Sequence, residues 1–441
     1  WVISNEKWFN VKGIDYLKLT GGYEISGNDN IDYYATRTYF ANSQFLDKAT
    51  SLVLSNIQNP KLQWETTKRY NIGLQASLLK NRLNVGIEYF RSNTDHLLTR
   101  KSVSDITGLA TMWSNDGALK NSGVDFNVNA MLVQHKDWRW QAGFSIGHYK
   151  NEITALPESN VNLIRTYALD DNGVRIASSE KQIHGYTSSI YGDNNILTAV
   201  GHAAGVFYGY QTKGVFASDA DAKAAGKDGK YLRYPTGISD PTKASRDFRA
   251  GDVHFVDQNG DGWINEADMV VIGDPNPDIY GNIYTSLSWK GLKLDVNFKY
   301  SLGNDVYNYQ RSQLESMNNN WNQTTAVINR WRYEGQVTNM PRVMDQSSEQ
   351  WVNNERFSDR WIEDGSYLKL KNVRLTYKVP VNLSWLLGLS VWGECNNVFT
   401  ISKYTGNDPE FSAGNGVLYQ GIDAGYLNLG RNFSLGVTIN L

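Results

Sequence analysis

Strict two-residue alternation constrains this chain more than any other feature of its sequence. Near the C-terminus Phe433, Leu435, Val437, Ile439 and Leu441 alternate with Asn432, Ser434, Gly436, Thr438 and Asn440. Successive side chains of a strand project to opposite faces, so this segment has one apolar and one polar face. The same period runs through Tyr70, Ile72, Leu74, Ala76 and Leu78, crosses Lys80, Asn81 and Arg82, and resumes in Leu83, Val85, Ile87 and Tyr89. That pattern predicts a hairpin. Val124 to Leu132 and Trp138 to Ile146 predict a second around His135, Lys136 and Asp137. Ile283 to Trp289 and Leu292 to Tyr300 predict a third around Lys290 and Gly291. A fourth joins Tyr367–Val379, through a turn from Pro380 to Ser384, to a strand from Leu389 to Cys395. With a first strand near residues 16–25, about ten strands are expected.

Turns inside the hairpins are short, whereas the connections between hairpins are long: roughly residues 27–66, 99–120, 151–280, 303–365 and 404–431. Outer-membrane barrels combine short periplasmic turns with long extracellular loops, while a soluble sandwich has no such rule. Alternation by itself also suits a half-buried soluble sheet. Long strands, and aromatics near their ends at Tyr89, Phe90, Trp138, Trp140, Trp289 and Trp392, favour a membrane wall with interfacial girdles. The expectation is an all-β chain: an antiparallel transmembrane β-barrel, partial, of roughly ten to twelve strands, with long extracellular loops. Residues 151–280 are expected to be extracellular and ordered, with helical turns near 219–225 and, in the following loop, near 324–332.

Composition agrees with this. Hydrophobic residues are 41% of 441, yet mean hydropathy is -0.48, because lipid-facing and lumen-facing residues average out along a barrel strand. The richest apolar run is about ten residues, near 383–392, short of the 18 a spanning helix needs. Net charge is -2 from 43 basic and 45 acidic residues without long runs, so no nucleic-acid partner is expected. The lone Cys395 excludes an internal disulfide and a cysteine-built zinc site within the chain. Nothing near Trp1 has the order of a secretion signal, so the chain is expected to begin within a longer protein or after processing. His96, His135, His148, His184, His202 and His254 are scattered without ligand spacing, and no nucleophile elbow or phosphate loop occurs, so no catalytic residue is assigned. Gly21 and Gly22 suggest a bend or bulge within a strand.

One loop carries chemistry of its own. Asp257, Asn259, Asp261, Trp263 (through its carbonyl), Asn265 and Asp268 occupy positions 1, 3, 5, 7, 9 and 12 of an EF-hand-type loop, with Gly262 at position 6. Hard oxygen donors at that spacing suit a structural Ca²⁺. Asp268 stands where such loops prefer Glu, and the flanks are not clearly helical, so this is an isolated calcium-type loop of residues 257–268. A turn whose Asn and Asp side chains cap their own backbone is the alternative.

Several segments together resemble the SusC/RagA family of TonB-dependent outer-membrane importers. They are Asn59-Pro60-Lys61-Leu62-Gln63-Trp64-Glu65 with Tyr70-Asn71-Ile72-Gly73; Gly205-Val206-Phe207-Tyr208-Gly209-Tyr210 with Gly214-Val215-Phe216; and Gly273-Asp274-Pro275-Asn276-Pro277-Asp278. Glu363-Asp364-Gly365-Ser366-Tyr367-Leu368-Lys369-Leu370-Lys371-Asn372-Val373 and Asn397-Val398-Phe399-Thr400 with Lys403-Tyr404-Thr405-Gly406 and Asp408-Pro409-Glu410 complete the set. The resemblance implies the C-terminal part of a 22-stranded plugged barrel. It also implies import of oligosaccharides or peptides, a SusD-like surface lipoprotein as lid, and energy from TonB through an N-terminal part. Loop aromatics Tyr208, Tyr210, Trp321, Trp331 and Trp351 suit sugar rings and peptides alike. A secreted glycan-binding or glycan-cleaving β-protein and a structural or adhesive outer-membrane barrel are the competing readings.

Overall fold

A computed structural model describes residues 1–45, 49–109, 111–158, 162–192, 196–236, 245–318, 320–381, 385–427 and 430–440. Asn382, Leu383 and Ser384 of the expected fourth turn, and Leu441 of the terminal apolar series, lie outside these residues. Ten long strands follow one another in a single antiparallel sheet: β1 (Ile14–Asn28), β2 (Glu65–Leu78), β3 (Leu83–Ser102), β4 (Thr111–Gln134), β5 (Trp138–Ala155), β6 (Ile279–Trp289), β7 (Leu292–Leu302), β8 (Tyr367–Val379), β9 (Gly388–Ser402) and β10 (Asn432–Asn440). Each pairs with its sequence neighbour, so the sheet is an up-and-down meander, the order of a barrel wall. It is the wall of a partial barrel, with β1 and β10 at its two edges. Two of the hairpin turns take the left-handed backbone that tight antiparallel reversals use. Leu79, Lys80 and Asn81 have φ of 57°, 62° and 59°, and Lys290 has 51°.

Register puts the apolar series on one face. Outward pairs run Leu78↔Leu83, Ala76↔Val85, Leu74↔Ile87 and Ile72↔Tyr89, and end at Tyr70↔Arg91; beyond them come Lys68↔Asn93 and Thr66↔Asp95, with a Lys68–Asp95 ion pair at 3.2 Å. The apolar band therefore covers residues 70–78 of β2, close to the 9–11 residues that cross a bilayer as a tilted strand. The strands continue past it. β3 and β4 reach Ser102 and Thr111, so the expected loop 99–120 contracts to residues 103–110. Hydropathy marks where the lipid ends, but the ladder continues for as long as the backbone can pair.

This apolar face has no protein against it. Leu435 is 90% exposed and Ile283 46% exposed, and the four buried apolar clusters among the described residues take nothing from the ten strands. An uncovered apolar surface of this extent is a lipid-facing one. The other face is polar: Arg69 is 3.7 Å from Glu88, Arg374 lies 3.4 Å from Glu394, and Gln141 donates to Asn129. Asn71, Gly73, Asn127, Asn129, Ser434 and Thr438 all fall on this lumen face by register.

Two expectations about aromatics and glycines need correction. Tyr89, Trp138, Trp140 and Trp289 stand on the lipid face, with Trp138 and Trp289 stacked at 5.6 Å, but Phe90 and Trp392 point to the lumen. Phe90 lies under Arg69 and over Gly123, and Trp392 lies under Arg374 and over Gly436. Nearness to a strand end does not settle facing; parity does. Gly21 and Gly22 pair without a bulge, and the space a Gly22 Cβ would need is taken by the Asn71 side chain.

Candidate functional site

Above the wall, three of the long connections fold together into an ordered loop domain that roofs the lumen face. Residues 156–278 contain a five-stranded sheet of Met269–Gly273, Val206–Tyr210, Ile196–Ala199, Lys181–Ser188 and Leu163–Thr166. They also contain the short helix Asp219–Ala224, capped by Ser218, whose hydroxyl accepts from the Asp221 N–H. A further 3-10 turn, Thr325–Asn329, sits in the next connection. Both agree with the expected positions.

The connections hold one another through backbone and core. Asp305–Asn308 pairs with Ile362–Asp364 and, in parallel, with Ile422–Asp423. Ile196, Phe207, Tyr307, Phe357, Trp361 and Ile422 form one buried cluster drawn from all three connections. Polar contacts follow the same seam. The Arg311 Nη1 donates to Glu363 at 2.8 Å, the Thr405 N–H and hydroxyl donate to the same carboxylate, and the Tyr404 hydroxyl donates to Asp423 at 2.7 Å. The Glu363 and Asp364 carboxylates cap loops, and Glu363 joins two of them. A second cluster of Phe216, Leu232, Phe248, Val253, Phe255, Ile264 and Val352 lies around Asp252. That carboxylate is fully buried and meets Arg342 in two parallel 2.8 Å bonds.

The domain is locked to the lumen wall. The Lys369 ammonium on β8, with 2% of its side chain exposed, reaches Asp408 at 2.9 Å and Glu410 at 2.7 Å in the last connection, and Lys299 on β7 also reaches Glu410. His148 and Tyr149 on β5 bond to Asp278 and Asn276.

The calcium-type loop closes on itself. The Asp257 carboxylate accepts from the Gly260 and Gly262 N–H groups, both at 2.7 Å; Asn259 accepts from the Asp261 N–H, and Asp261 accepts from those of Trp263 and Leu169. Gly262 has φ of 86°, as the sharp turn needs. Asn265 and Asp268 form a capping box around the 3-10 turn Glu266–Asp268, and the Asp268 carboxylate also accepts from Gln258. Trp263 is buried, donates its indole N–H to Asp170 and carries Arg233 at 4.0 Å above its ring. The residues are brought together, yet among the described residues no three His, Cys, Asp or Glu side chains are arranged to hold a metal. The donor set fits calcium in part. Asn259 accepts from one N–H group, whereas both oxygens of Asp257, of Asp261 and of Asp268 already accept from N–H groups, each keeping lone pairs for a cation. Burial pushes Asp268 up to about 7, against its backbone hydrogen bonds.

Glu355 is a residue sequence reasoning passed over. Burial pushes it up to about 7, and its Oε2 has no hydrogen-bond partner. It lines a cavity of about 230 Å³ with Ser312, Gln313 and Trp361. Its folded-state pKa is raised, so its contribution to stability is full below about pH 4 and is lost as pH rises through about 7. The loop domain is therefore expected to be less protected from proteolysis at pH 8 than at pH 5. Glu355→Gln should remove a share of that slope on the order of 3 kcal/mol; an unchanged slope would show that Glu355 titrates normally. Of the loop aromatics, Tyr208 is a core residue and Trp331 donates to the Ala217 carbonyl, so both are structural. Trp321 remains 64% exposed, and Tyr210 lines a cavity.

No protein-family model matches the chain. Two TonB-dependent receptors of Formosa agariphila are 27% and 29% identical over 451 and 450 residues, each covering 100% of this chain and 41% of the relative. The TonB-dependent receptor SusC of Bacteroides thetaiotaomicron is 27% identical over 462 residues, covering 100% of this chain and 39% of its own length. Among solved structures, the RagAB peptide transporter superposes with a TM-score of 0.72 at 22% identity, over 100% of this chain and 42% of that one. The chain spans about two fifths of the length of the relatives it matches.

Proposed function

We propose that this chain belongs to the SusC/RagA family of TonB-dependent receptors of the outer membrane and supplies part of the wall and the extracellular roof of an importer. One observation carries the reading: a wall apolar outside and polar inside is roofed by loops that share a core and are pinned to the lumen face by Lys369 and Lys299. An adhesive barrel has no need to tie its loops inward in this way. The cargo in this reading is an oligosaccharide or a peptide. A SusD-like surface lipoprotein closes over the loop domain, and TonB supplies energy through the remainder of the receptor. Replacing residues 157–276 by a short linker is expected to abolish uptake and co-purification of the lid, while the wall still assembles as a heat-modifiable barrel. Uptake and lid binding that survive the deletion would exclude the assignment. A receptor that stays soluble without detergent would instead favour a secreted glycan-binding protein.

We also propose that residues 257–268 bind a structural Ca²⁺ through Asp257, Asn259, Asp261, the Trp263 carbonyl, Asn265 and Asp268. The spacing of oxygen donors and the Gly262 turn support this. Extracellular sites of this type bind at roughly 10⁻⁴ to 10⁻³ M. At tenfold excess over Kd, calcium should stabilise the loop domain by about 1.4 kcal/mol, and Asp257→Ala should abolish the effect. Equal proteolysis rates in millimolar calcium and in chelator would leave the self-capped turn as the reading.

A further inference from the structure

We propose that the outward face of β3–β5, around Ser122, binds the phosphate headgroup of an outer-leaflet membrane lipid; this rests on the lipid-facing reading of the wall. At the roof end of the apolar band the outward series of these strands turns cationic. Arg91 comes beyond Tyr89 on β3, Ser122 and then Lys120 beyond Val124 on β4, and His148 and then Lys150 beyond Ile146 on β5. Arg91 and Lys150 flank Ser122 in one cross-strand row, and Lys120 is the next outward position on β4. Adjacent strands lie about 4.8 Å apart, so the two ends of that row are roughly 10 Å from each other, close enough for long side chains to meet over Ser122.

These charges are not answered within the molecule. Arg91 and Lys150 are exposed and Lys120 is half-buried, and among the described residues no carboxylate forms an ion pair with any of the three. Lys68 on β2 differs, since Asp95 holds it at 3.2 Å. Glu152 stands opposite Lys120 in register and is the one carboxylate in the outward rows of the patch, yet the two side chains do not pair. The whole chain carries 43 basic and 45 acidic residues, so three unpaired cations beside one carboxylate depart from its average composition. Like charges at this spacing repel, and a counter-charge from outside relieves them.

Position identifies the counter-charge. Outward residues recur about every 7 Å along a strand, and barrel strands are tilted, so one or two steps past the apolar band lie in the headgroup layer that flanks the hydrocarbon core. The four buried clusters of the described residues take nothing from this face, and the roof is pinned to the lumen side through Lys369 and Lys299. On β6 and β7 the outward series stays apolar to Ile279 and Leu302, which pair with each other, so the cations form a local patch and not a general girdle. Lys and Arg lay their stems along apolar surface and carry their charge to the interface. A lipid phosphate presents negative charge and several acceptor oxygens, which Arg meets as a planar fork and Lys as a point charge.

The test extracts the full-length receptor from vesicles of phosphatidylcholine and phosphatidylglycerol in equal parts and counts the retained lipid by native mass spectrometry. Phosphatidylglycerol should stay bound in preference to phosphatidylcholine. Arg91→Gln, Lys120→Gln and Lys150→Gln together should weaken its retention about a hundredfold, since each cation at a charged lipid surface contributes a factor of roughly five. Arg91→Lys with Lys120→Arg and Lys150→Arg should keep most of it. Lys80→Gln, Lys136→Gln and Lys290→Gln together, at exposed positions in the hairpin turns of the opposite rim, remove the same charge and should leave retention unchanged. Each single variant of the patch should lose about fivefold, a readout that stands even where the triple variant does not assemble. Equal retention of the two lipids, or equal loss from the two triple variants, overturns the site. Inorganic phosphate bound by the delipidated receptor as tightly as the lipid would make it a free-anion site and overturn it too. Loss of the lid with lipid retention unchanged would make the patch a protein interface, with the same consequence. The lipid-facing wall survives each of these outcomes and fails instead if the receptor stays soluble without detergent.

Discussion

Arg342→Leu should destabilise the loop domain by about 3–5 kcal/mol, the usual consequence of stripping the partner from a buried charge. Asp252 is wholly enclosed in the cluster of Phe216, Phe248, Val253 and Val352. Its oxygens also accept from the Arg249 N–H and the Asn354 amide, but the counter-charge comes from Arg342, whose side chain is 19% exposed. Proteolysis should open the connections 156–278 and 303–366 while the barrel stays heat-modifiable, because the wall takes nothing from this cluster. Removing both charges, Asp252→Leu with Arg342→Leu, should recover much of the loss, since a hydrophobic pair leaves no stranded ion. A single variant within 1 kcal/mol of the parent would mean that the Asp252 site is open to water.

A charge on the lipid face should be nearly as damaging. Ile283 lies mid-strand in β6, pairs with Phe144 and Phe298, and faces away from the lumen. Ile283→Arg places a guanidinium near the midplane and should cost about 2–4 kcal/mol. Ser286→Arg, three residues on and facing the lumen, should cost far less. Comparing urea unfolding of the two variants in lipid vesicles checks the facing directly. Equal costs would mean that the apolar face is covered by protein rather than lipid.

The wall was legible because its rule is local. A period of two, read from Phe433 to Ile439 or from Tyr70 to Tyr89, needs no information beyond neighbouring residues, and short turns such as Lys290-Gly291 set the register once strands are paired. The same signal placed Asn71, Ser434 and Thr438 on the lumen face. Phe90 and Trp392 lie near strand ends yet face the lumen, because parity and not position along a strand sets facing. The extent of β3 and β4 was underestimated because alternation ends with the lipid at Tyr70 and Tyr89, while backbone pairing runs on to Ser102.

The roof was decided by tertiary structure. Tyr307, Trp361 and Ile422 belong to segments far apart in sequence, and nothing in their neighbours says that they share a core. Lys369 and Lys299 read as ordinary polar residues of alternating strands until Asp408 and Glu410, some forty and a hundred residues away, are laid upon them. The six donors of the calcium-type loop could be picked out by spacing, but whether their oxygens turn to a cation or to backbone N–H groups depends on how Leu169, Gln258 and the 3-10 turn pack around them. Alternation is a property of the chain and its immediate neighbours, so the sequence alone determined the wall and its two faces; convergence of loops is a property of long-range burial, and only the folded molecule decided which charges and rings meet there.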